Sequence, residues 1–168
     1  AMQENNIKKL CLATGHRWLE SIDIDAKGSL YFTDSVEKAL YRIQRNEDGT
    51  LSQRKEQKLL WKFEHAGGVS IDRVNNELYF GIRTKKKGKI LKIPLVLFDE
   101  VGYQPNTFEK ILEKHSPKII AFDIKPPNDY PSPRPNGVIY DPNGNNVYYS
   151  HEGLLGLGKK AYVGSKND

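Results

Sequence analysis

A β-hairpin pattern that occurs three times constrains the fold of this chain more than any other feature of its sequence. The three copies span residues 20–35, 67–81 and 136–150. In each copy an aspartate stands five residues after the first position, and an aliphatic residue with two aromatic residues behind it follows five or six positions later. The aspartates that align the copies are Asp25, Asp72 and Asp141. A unit that recurs in this way predicts a repeat protein whose units bury their apolar faces against one another.

The segments around the hairpins predict four short antiparallel strands in each unit. In the first unit the hairpin is followed by residues 40–43 and 58–62, which are rich in strand-forming residues. Four consecutive antiparallel strands form one blade of a β-propeller. The first two aligned aspartates are 47 residues apart, which matches a propeller repeat of roughly 40–50 residues. The chain is therefore predicted to be all-β, a β-propeller of which about three blade-like units are visible.

An insertion separates the second unit from the third. The second and third aligned aspartates are 69 residues apart, which predicts about twenty additional residues, and we place them within residues 94–115. Residues 107–114 fit either a short amphipathic helix or the fourth strand of the second unit, since Phe108, Ile111 and Leu112 share one helix face. Residues 117–124 have a strong strand pattern. The proline-rich residues 126–135 predict a rigid, extended loop that leads to Asn136.

Composition places the 168-residue chain among soluble globular proteins, with 38% hydrophobic and 28% charged residues. The net charge of +5 is scattered except at residues 85–89, which fit a solvated turn, so we expect no nucleic-acid and no membrane partner. We expect one domain over residues 7–164, with flexible ends at 1–6 and 165–168. The polar residues 1–10 contain no signal peptide, but such a segment can be cleaved. Localisation stays open, with a secreted or periplasmic location favoured over the cytoplasm.

The first residue of each hairpin is the position from which a shared site can be built. The innermost strand of each propeller blade begins near the central channel, so equivalent residues of successive blades converge on its axis. These residues are Glu20, Gly67 and Asn136. A carboxylate and an amide oxygen in one channel are part of the ligand set of a hard cation such as Ca²⁺. Gly67 has no side chain and is expected to leave room for a water molecule or a substrate.

Each of these residues also has a structural interpretation. Glu20 can cap a loop or pair with Arg17, and Asn136 can form a turn with Gly137 because Asn-Gly is a common turn dipeptide. The equivalence of the two positions across the repeats supports the metal interpretation, so both interpretations stay open. The aligned aspartates are predicted to stabilise turns, and Asp34 is predicted to end its strand rather than reach the channel.

Three histidines flank the hairpins, with His16 and His65 before the first two and His151 after the third. Together with Arg17 they are candidate substrate-binding residues, since an imidazole near the channel mouth can act as an acid or a base. The alternative is that they lie in surface loops, because no pair has the spacing of metal-binding histidines. The chain has no Gly-x-Ser-x-Gly nucleophile motif, and its catalytic residues are left unassigned.

Two of the hairpins carry a family resemblance. Residues 18–34, WLESIDIDAKGSLYFTD, and residues 134–149, RPNGVIYDPNGNNVYY, resemble the opening blade and a later Asn-Gly hairpin of the SMP-30/gluconolactonase/luciferin-regenerating-enzyme family. The resemblance implies a six-bladed propeller with a divalent cation, Ca²⁺ or Zn²⁺, in its channel. It also implies that Glu20 matches the first-blade metal carboxylate of the family and that Asn136 matches its metal-binding asparagine.

The resemblance implies a metal-dependent lactonase-like hydrolase in which the cation polarises the carbonyl of a small lactone. The alternative is a non-enzymatic propeller that binds a small ligand or a partner protein. It is favoured because a later metal-binding aspartate of the family has no counterpart here and because the chain is short. Residues 117–124 are also similar to the major royal jelly/yellow family. Exposed Tyr103, Tyr130 and Tyr162 would suit such a surface. Three units would leave two open sheet edges, so another chain is a candidate to complete the ring.

Overall fold

The chain forms three antiparallel β-sheets, described by a computed structural model over residues 15–52, 57–61, 63–84, 87–124, 135–151 and 162–166. The first sheet has the strand order β1-β2-β3-β4. Its strands are β1 (Leu19–Ile24), β2 (Leu30–Asp34), β3 (Ala39–Ile43) and β4 (Gln57–Trp61). They agree with the four strands that the sequence predicts for the first unit.

The second sheet has the order β5-β6-β7-β8 and contains the insertion. Its strands are β5 (His65–Asp72), β6 (Glu77–Thr84), β7 (Lys87–Pro94) and β8 (Ile120–Asp123). Between β7 and β8 lie a short 3₁₀ helix, Leu95–Asp99, and the helix α1, Phe108–His115. The helical alternative for this segment is therefore correct and the strand alternative is wrong, because Phe108 and Ile111 share one helix face and are buried.

The third sheet has the order β11-β10-β9 within the described residues. Its strands are β9 (Pro135–Asp141), β10 (Asn146–His151) and β11 (Tyr162–Ser165). The last residue of β11 is fixed in place, since Ser165 is buried and accepts a hydrogen bond from Asn146 Nδ2 at 2.5 Å. The β9-β10 hairpin is the third copy of the repeated pattern.

The first strands of the sheets lie side by side and run in the same direction. On β1, Ser21 Oγ accepts a hydrogen bond from Val69 N at 3.1 Å, and Asp23 Oδ2 accepts one from Ile71 N at 2.7 Å. The second bond lies two residues further along both strands than the first. The strands β1 and β5 are therefore parallel neighbours. Because each of these strands is also at the edge of its own sheet, β1 and β5 are the innermost strands of consecutive blades.

The second and third blades are joined in the same way. Ser70 Oγ on β5 accepts a hydrogen bond from Tyr140 N on β9 at 2.9 Å. Tyr79 of the second blade stacks on the ring of Tyr140, with their centroids 5.3 Å apart. The predicted fold class is confirmed: the described residues form a partial β-propeller of three consecutive blades.

Apolar side chains from adjacent blades form the core. The larger cluster joins the first two blades and the insertion, and it includes Tyr31, Leu60, Phe80 and Phe108. Tyr103 belongs to this region, because its hydroxyl donates a hydrogen bond to Leu59 O at 2.5 Å and burial raises its pKa. The prediction that Tyr103 is an exposed binding residue is therefore wrong.

The aligned aspartates stabilise the turns inside the hairpins, as predicted. Asp25 Oδ1 accepts hydrogen bonds from Lys27 N and Ser29 N, both at 2.9 Å. Asp72 Oδ1 accepts two backbone N–H groups at 3.0 Å in the β5-β6 turn, and Asp141 Oδ1 accepts one at 3.0 Å in the β9-β10 turn. A carboxylate that accepts N–H groups two to four residues ahead fixes the turn geometry that the repeat requires.

Some predictions concern residues outside the described ranges. They are the flexible end 1–6, residues 167–168 of the other predicted flexible end, the residues of the proline-rich loop before Pro135, Tyr130 and the side chain of Tyr162. Among the described residues, no helix has the length and apolar character needed to cross a bilayer.

Candidate site at the channel end of the blades

The two predicted metal ligands lie at the same end of the three-blade arc. Glu20 is the second residue of β1, and Asn136 is the second residue of β9. Because β1, β5 and β9 run in the same direction, their first residues share one end of the innermost layer. The sequence therefore identified equivalent positions correctly. Whether the two side chains hold a cation remains a prediction.

Glu20 is half-buried and carries few contacts. Its Oε2 atom accepts a hydrogen bond from Ser35 Oγ at a long 3.3 Å, and within the described residues no other hydrogen bond reaches this carboxylate. Arg17 is exposed, and no ion pair joins it to Glu20 in that part of the chain. The alternative in which Glu20 pairs with Arg17 is therefore not what the structure contains.

Asn136 lies inside a strand rather than in a turn. It is half-buried, and its side-chain amide forms no hydrogen bond with any described residue. The dipeptide formed with Gly137 lies within β9, at an irregularity in the pairing of β9 with β10, so the turn interpretation is wrong. The turn of this hairpin lies further along, where Asn145 has a φ of 45°.

The space beside the Cα atom of Gly67 is filled by the neighbouring blade. A Cβ atom added to Gly67 would meet the backbone oxygen of Pro135, and it would lie 2.9 Å from the backbone oxygen of Asn136. Its own carbonyl accepts a hydrogen bond from Thr33 Oγ1 at 3.0 Å. The expectation that Gly67 leaves room for water or substrate is wrong, because the glycine permits the close approach of β5 and β9.

Asp34 holds His16 at the same end of the first blade. The Nδ1 atom of His16 donates to Asp34 Oδ2 at 3.1 Å, and Arg17 N donates to the same oxygen at 3.3 Å. The imidazole also packs edge-on against Phe32 and Tyr41, with centroid distances of 5.3 and 4.7 Å. These contacts orient His16, and its side chain is only 5% exposed, so the surface-loop interpretation of His16 is wrong.

The carboxylate of Asp34 is fully buried and ionised. Burial would raise its pKa, but the N–H groups of Glu37 and Val36 and the His16 ring hold that pKa below its usual value. Asp34 Oδ1 accepts hydrogen bonds from Val36 N at 2.9 Å and Glu37 N at 3.0 Å. The prediction that Asp34 ends its strand is confirmed, whereas its pairing with His16 was not predicted, because no sequence pattern links the two residues.

A candidate ligand group consists of His16, Asp34 and Glu37, whose donor atoms lie within 4.8 Å of one another. Each already has protein partners. Both Asp34 oxygens accept N–H groups, and Glu37 Oε2 accepts a hydrogen bond from the Tyr41 hydroxyl. This group therefore fits a hydrogen-bonded support for His16 better than a metal centre.

The other two candidate histidines, His65 and His151, both lie near Pro135, the first residue of β9. His65 is the first residue of β5, and its Nε2 atom donates to Pro135 O at 3.2 Å. His151 ends β10, lies opposite Pro135 in the β-ladder and is buried. Neither lies in a surface loop, so that alternative is wrong for both. Whether any histidine contacts a substrate remains a prediction.

Comparison of the sequence with known proteins gives no family assignment. No family model matches the chain, and no curated protein matches it.

Solved structures do resemble the chain. A luciferin-regenerating enzyme is similar with a TM-score of 0.53 and 13% identity over 88% of this chain and 44% of that chain. The PQQ-bound form of an aldose sugar dehydrogenase from Streptomyces coelicolor is similar with a TM-score of 0.56 and 13% identity, over 87% and 42%. This chain thus spans less than half the length of either neighbour. At this identity the likeness establishes the fold, a β-propeller.

Proposed function

We propose that this chain is part of a metal-dependent lactonase-like hydrolase of the SMP-30/gluconolactonase type, with Glu20 and Asn136 as ligands of its cation. The observation that carries the proposal is the equivalent placement of these residues at one end of two inner strands, β1 and β9, which flank β5. Both side chains are half-buried and have few or no hydrogen bonds within the described residues. The luciferin-regenerating enzyme among the structural neighbours is consistent with this family but does not assign its chemistry.

The donor chemistry favours Ca²⁺ over Zn²⁺. A carboxylate oxygen and an amide oxygen are hard ligands, which suit Ca²⁺, whereas Zn²⁺ usually takes histidine or cysteine ligands as well. When bound in such a site, a cation polarises a carbonyl and lowers the pKa of a water molecule. Glu20 would supply the charge, and Asn136 would supply a neutral oxygen on the opposite side of Gly67.

Neighbouring residues have supporting roles in this proposal. The exposed guanidinium of Arg17 is available to contact a polar group of the substrate. His16 is fixed in orientation by Asp34, so its ring can exchange a proton at a defined position. His65 and His151 shape the wall between the second and third blades.

Calcium titration of Glu20→Gln tests the ligand assignment. We expect the substitution to weaken Ca²⁺ binding at least about tenfold, since it removes the charged donor and keeps the shape. The measurement is isothermal titration calorimetry, followed by hydrolysis of a panel of small lactones. Glu47→Gln is the matched control, because Glu47 is exposed in the β3-β4 connection. Unchanged Ca²⁺ affinity and lactone turnover in Glu20→Gln would show that the assignment is wrong.

A non-enzymatic ligand-binding propeller is the second candidate. The observation that favours it is the engagement of the channel-end acids and bases with protein groups: Asp34 accepts four N–H groups, and His65 donates to a backbone carbonyl. Such groups stabilise a binding surface without taking part in chemistry. The same experiments separate the two functions, because a protein without stoichiometric metal and without turnover fits the second.

A further inference from the structure

Among the described residues, two apolar faces are exposed at the ends of the three-blade arc. On the first blade, Trp18, Leu19 and Ile22 are exposed, and we call them the leading face. On the third blade, Ile139 and Tyr148 are exposed, and we call them the trailing face. Soluble proteins seldom leave large aliphatic and aromatic residues together on a strand surface without a partner.

The repeat shows which surface of the other blades corresponds to the leading face. Ile22 occupies the position that Val69 has in the second blade and Val138 in the third. Val69 is 4% exposed and Val138 packs against the second blade near Gly81, whereas Ile22 is 62% exposed. The same position is thus buried in the second blade and partly buried in the third, where it contacts the blade before it. The leading face therefore corresponds to a surface that contacts the preceding blade elsewhere in the repeat.

The trailing face is the matching surface. Ile139 occupies the position of Asp23 in the first blade and Ser70 in the second, and both of these side chains bond to an N–H group of the following inner strand. Ile139 is 63% exposed. An open groove of about 320 Å³ runs along this face, lined by Gly137, Val138, Ile139, Tyr148, Tyr149 and Ser150. The trailing face therefore corresponds to a surface that contacts the next blade elsewhere in the repeat.

We propose that a second copy of this chain covers both faces, so that two three-blade arcs close one six-bladed ring. A half-turn about the ring axis places the trailing face of each copy on the leading face of the other, which gives two identical contacts and a closed pair. The length of the neighbours supports this occupant, because one copy covers 44% and 42% of the chains of two structures with the same fold. Both faces are apolar, so each is complementary to the other.

Closure also completes the channel. A ring of two copies has two Glu20 and two Asn136 residues at equivalent positions around one axis, which together offer four oxygen donors. If the proposed function holds, on which this consequence alone rests, the ring takes one Ca²⁺ per two chains. The pairing itself rests on the two faces and not on the metal.

Analytical ultracentrifugation of the whole chain tests the pairing. We expect a mass of twice 19.2 kDa. Ile22→Lys and Ile139→Glu are each expected to give single chains, because a charge is then buried in both contacts of the pair. Val74→Glu is the matched control, since Val74 is 88% exposed in the β5-β6 turn of the middle blade, and it should remain paired. A single-chain mass for the parent protein, or pairs that survive both face substitutions, would overturn the proposal.

Mixing the two variants gives a sharper test. In a mixed pair one contact keeps both isoleucines, and the other brings the introduced lysine and the introduced glutamate, which have opposite charges, to the same interface. The mass of the pair should therefore return in the mixture. Its return would also show that both variants are folded. If either variant fails to fold, hydrogen exchange of the parent protein replaces the mixing experiment. Amides of β1 and β9 should then lose protection from exchange when the protein is diluted. Protection that does not depend on protein concentration would contradict the pairing. A paired parent that binds no Ca²⁺ leaves the assembly intact and removes the proposed function.

Discussion

At the scale of single residues, hydrogen bonds to a few carboxylates hold the channel end of the first blade together. Asp34 accepts N–H groups from the turn that follows β2 and also accepts the His16 ring. Both its oxygens are therefore used by groups within the same blade. Glu20, on the neighbouring strand, has one long hydrogen bond from Ser35. This contrast separates a carboxylate that stabilises the fold from the one that we propose as a cation ligand.

The pH dependence of stability follows from Asp34. Its pKa in the folded protein lies below that of the unfolded chain. Its contribution is therefore present above the unfolded pKa and is lost as the pH falls through the folded pKa. We expect Asp34→Asn to lower the free energy of unfolding by about 2 kcal/mol near neutral pH, because several buried N–H groups lose a charged acceptor.

Urea unfolding at several pH values measures this difference, which should shrink below about pH 4, where Asp34 begins to take up a proton in the unfolded chain. Asp141→Asn is the control, since Asp141 accepts one turn N–H group and is half-buried. Equal losses for both substitutions, or a difference that grows in acid, would contradict the role of Asp34.

At the scale of the strands, glycine sets the distance between the innermost strands of the second and third blades. A Cβ atom on Gly68 would lie 2.6 Å from Val138 N and 2.8 Å from Asn136 O. These are backbone atoms of β9, which cannot move without separating the blades. The Gly67-Gly68 pair is therefore the reason that the second and third blades approach so closely.

Substitution of equivalent glycines tests this packing. We expect Gly68→Ala to lower stability by roughly 2 kcal/mol, as overpacking against fixed backbone does. Gly137 occupies the same position one blade later, on the trailing face, and an added Cβ would meet only Ser150 Oγ, at 3.1 Å. Gly137→Ala should therefore cost much less in a single chain. Thermal unfolding of both variants in the Ile139→Glu background compares them, and equal shifts in Tm would refute the argument.

At the scale of the whole molecule, the described residues form an arc of three blades whose two end faces resemble its internal contacts. The internal contacts combine an apolar core with side-chain hydrogen bonds to backbone N–H groups of the next inner strand. The apolar residues of the leading and trailing faces are exposed. Ring closure by a second copy would bury it in the manner of the two internal contacts.

The salt dependence of the pairing follows from the chemistry of the faces. Each chain has a net charge of +5, so two copies repel each other at low ionic strength, and the contacting residues are apolar. Raising NaCl from about 0.05 M to about 0.5 M should leave the dissociation constant of the pair unchanged or lower it, since salt screens the repulsion. Sedimentation across a dilution series measures that constant. Weakening by salt would show that ion pairs, rather than the apolar faces, hold the copies together.

The sequence by itself determined the local pattern of this protein. Alternating residues, turn aspartates and paired aromatics repeat with the period of a blade, and these local signals predicted the hairpins, the four strands of the first unit and the place of the insertion. They also marked Glu20 and Asn136 as equivalent positions, because equivalence is a property of the repeat.

The tertiary structure decided what lies between the blades. The role of Gly67, the pairing of Asp34 with His16 and the burial of His151 each depend on neighbours distant in the chain, and no local pattern encodes those distances. The helix of the insertion was settled in the same way, since its apolar residues are satisfied only by the core they meet. Periodicity thus fixes which face of a strand is apolar, whereas packing fixes what that face touches.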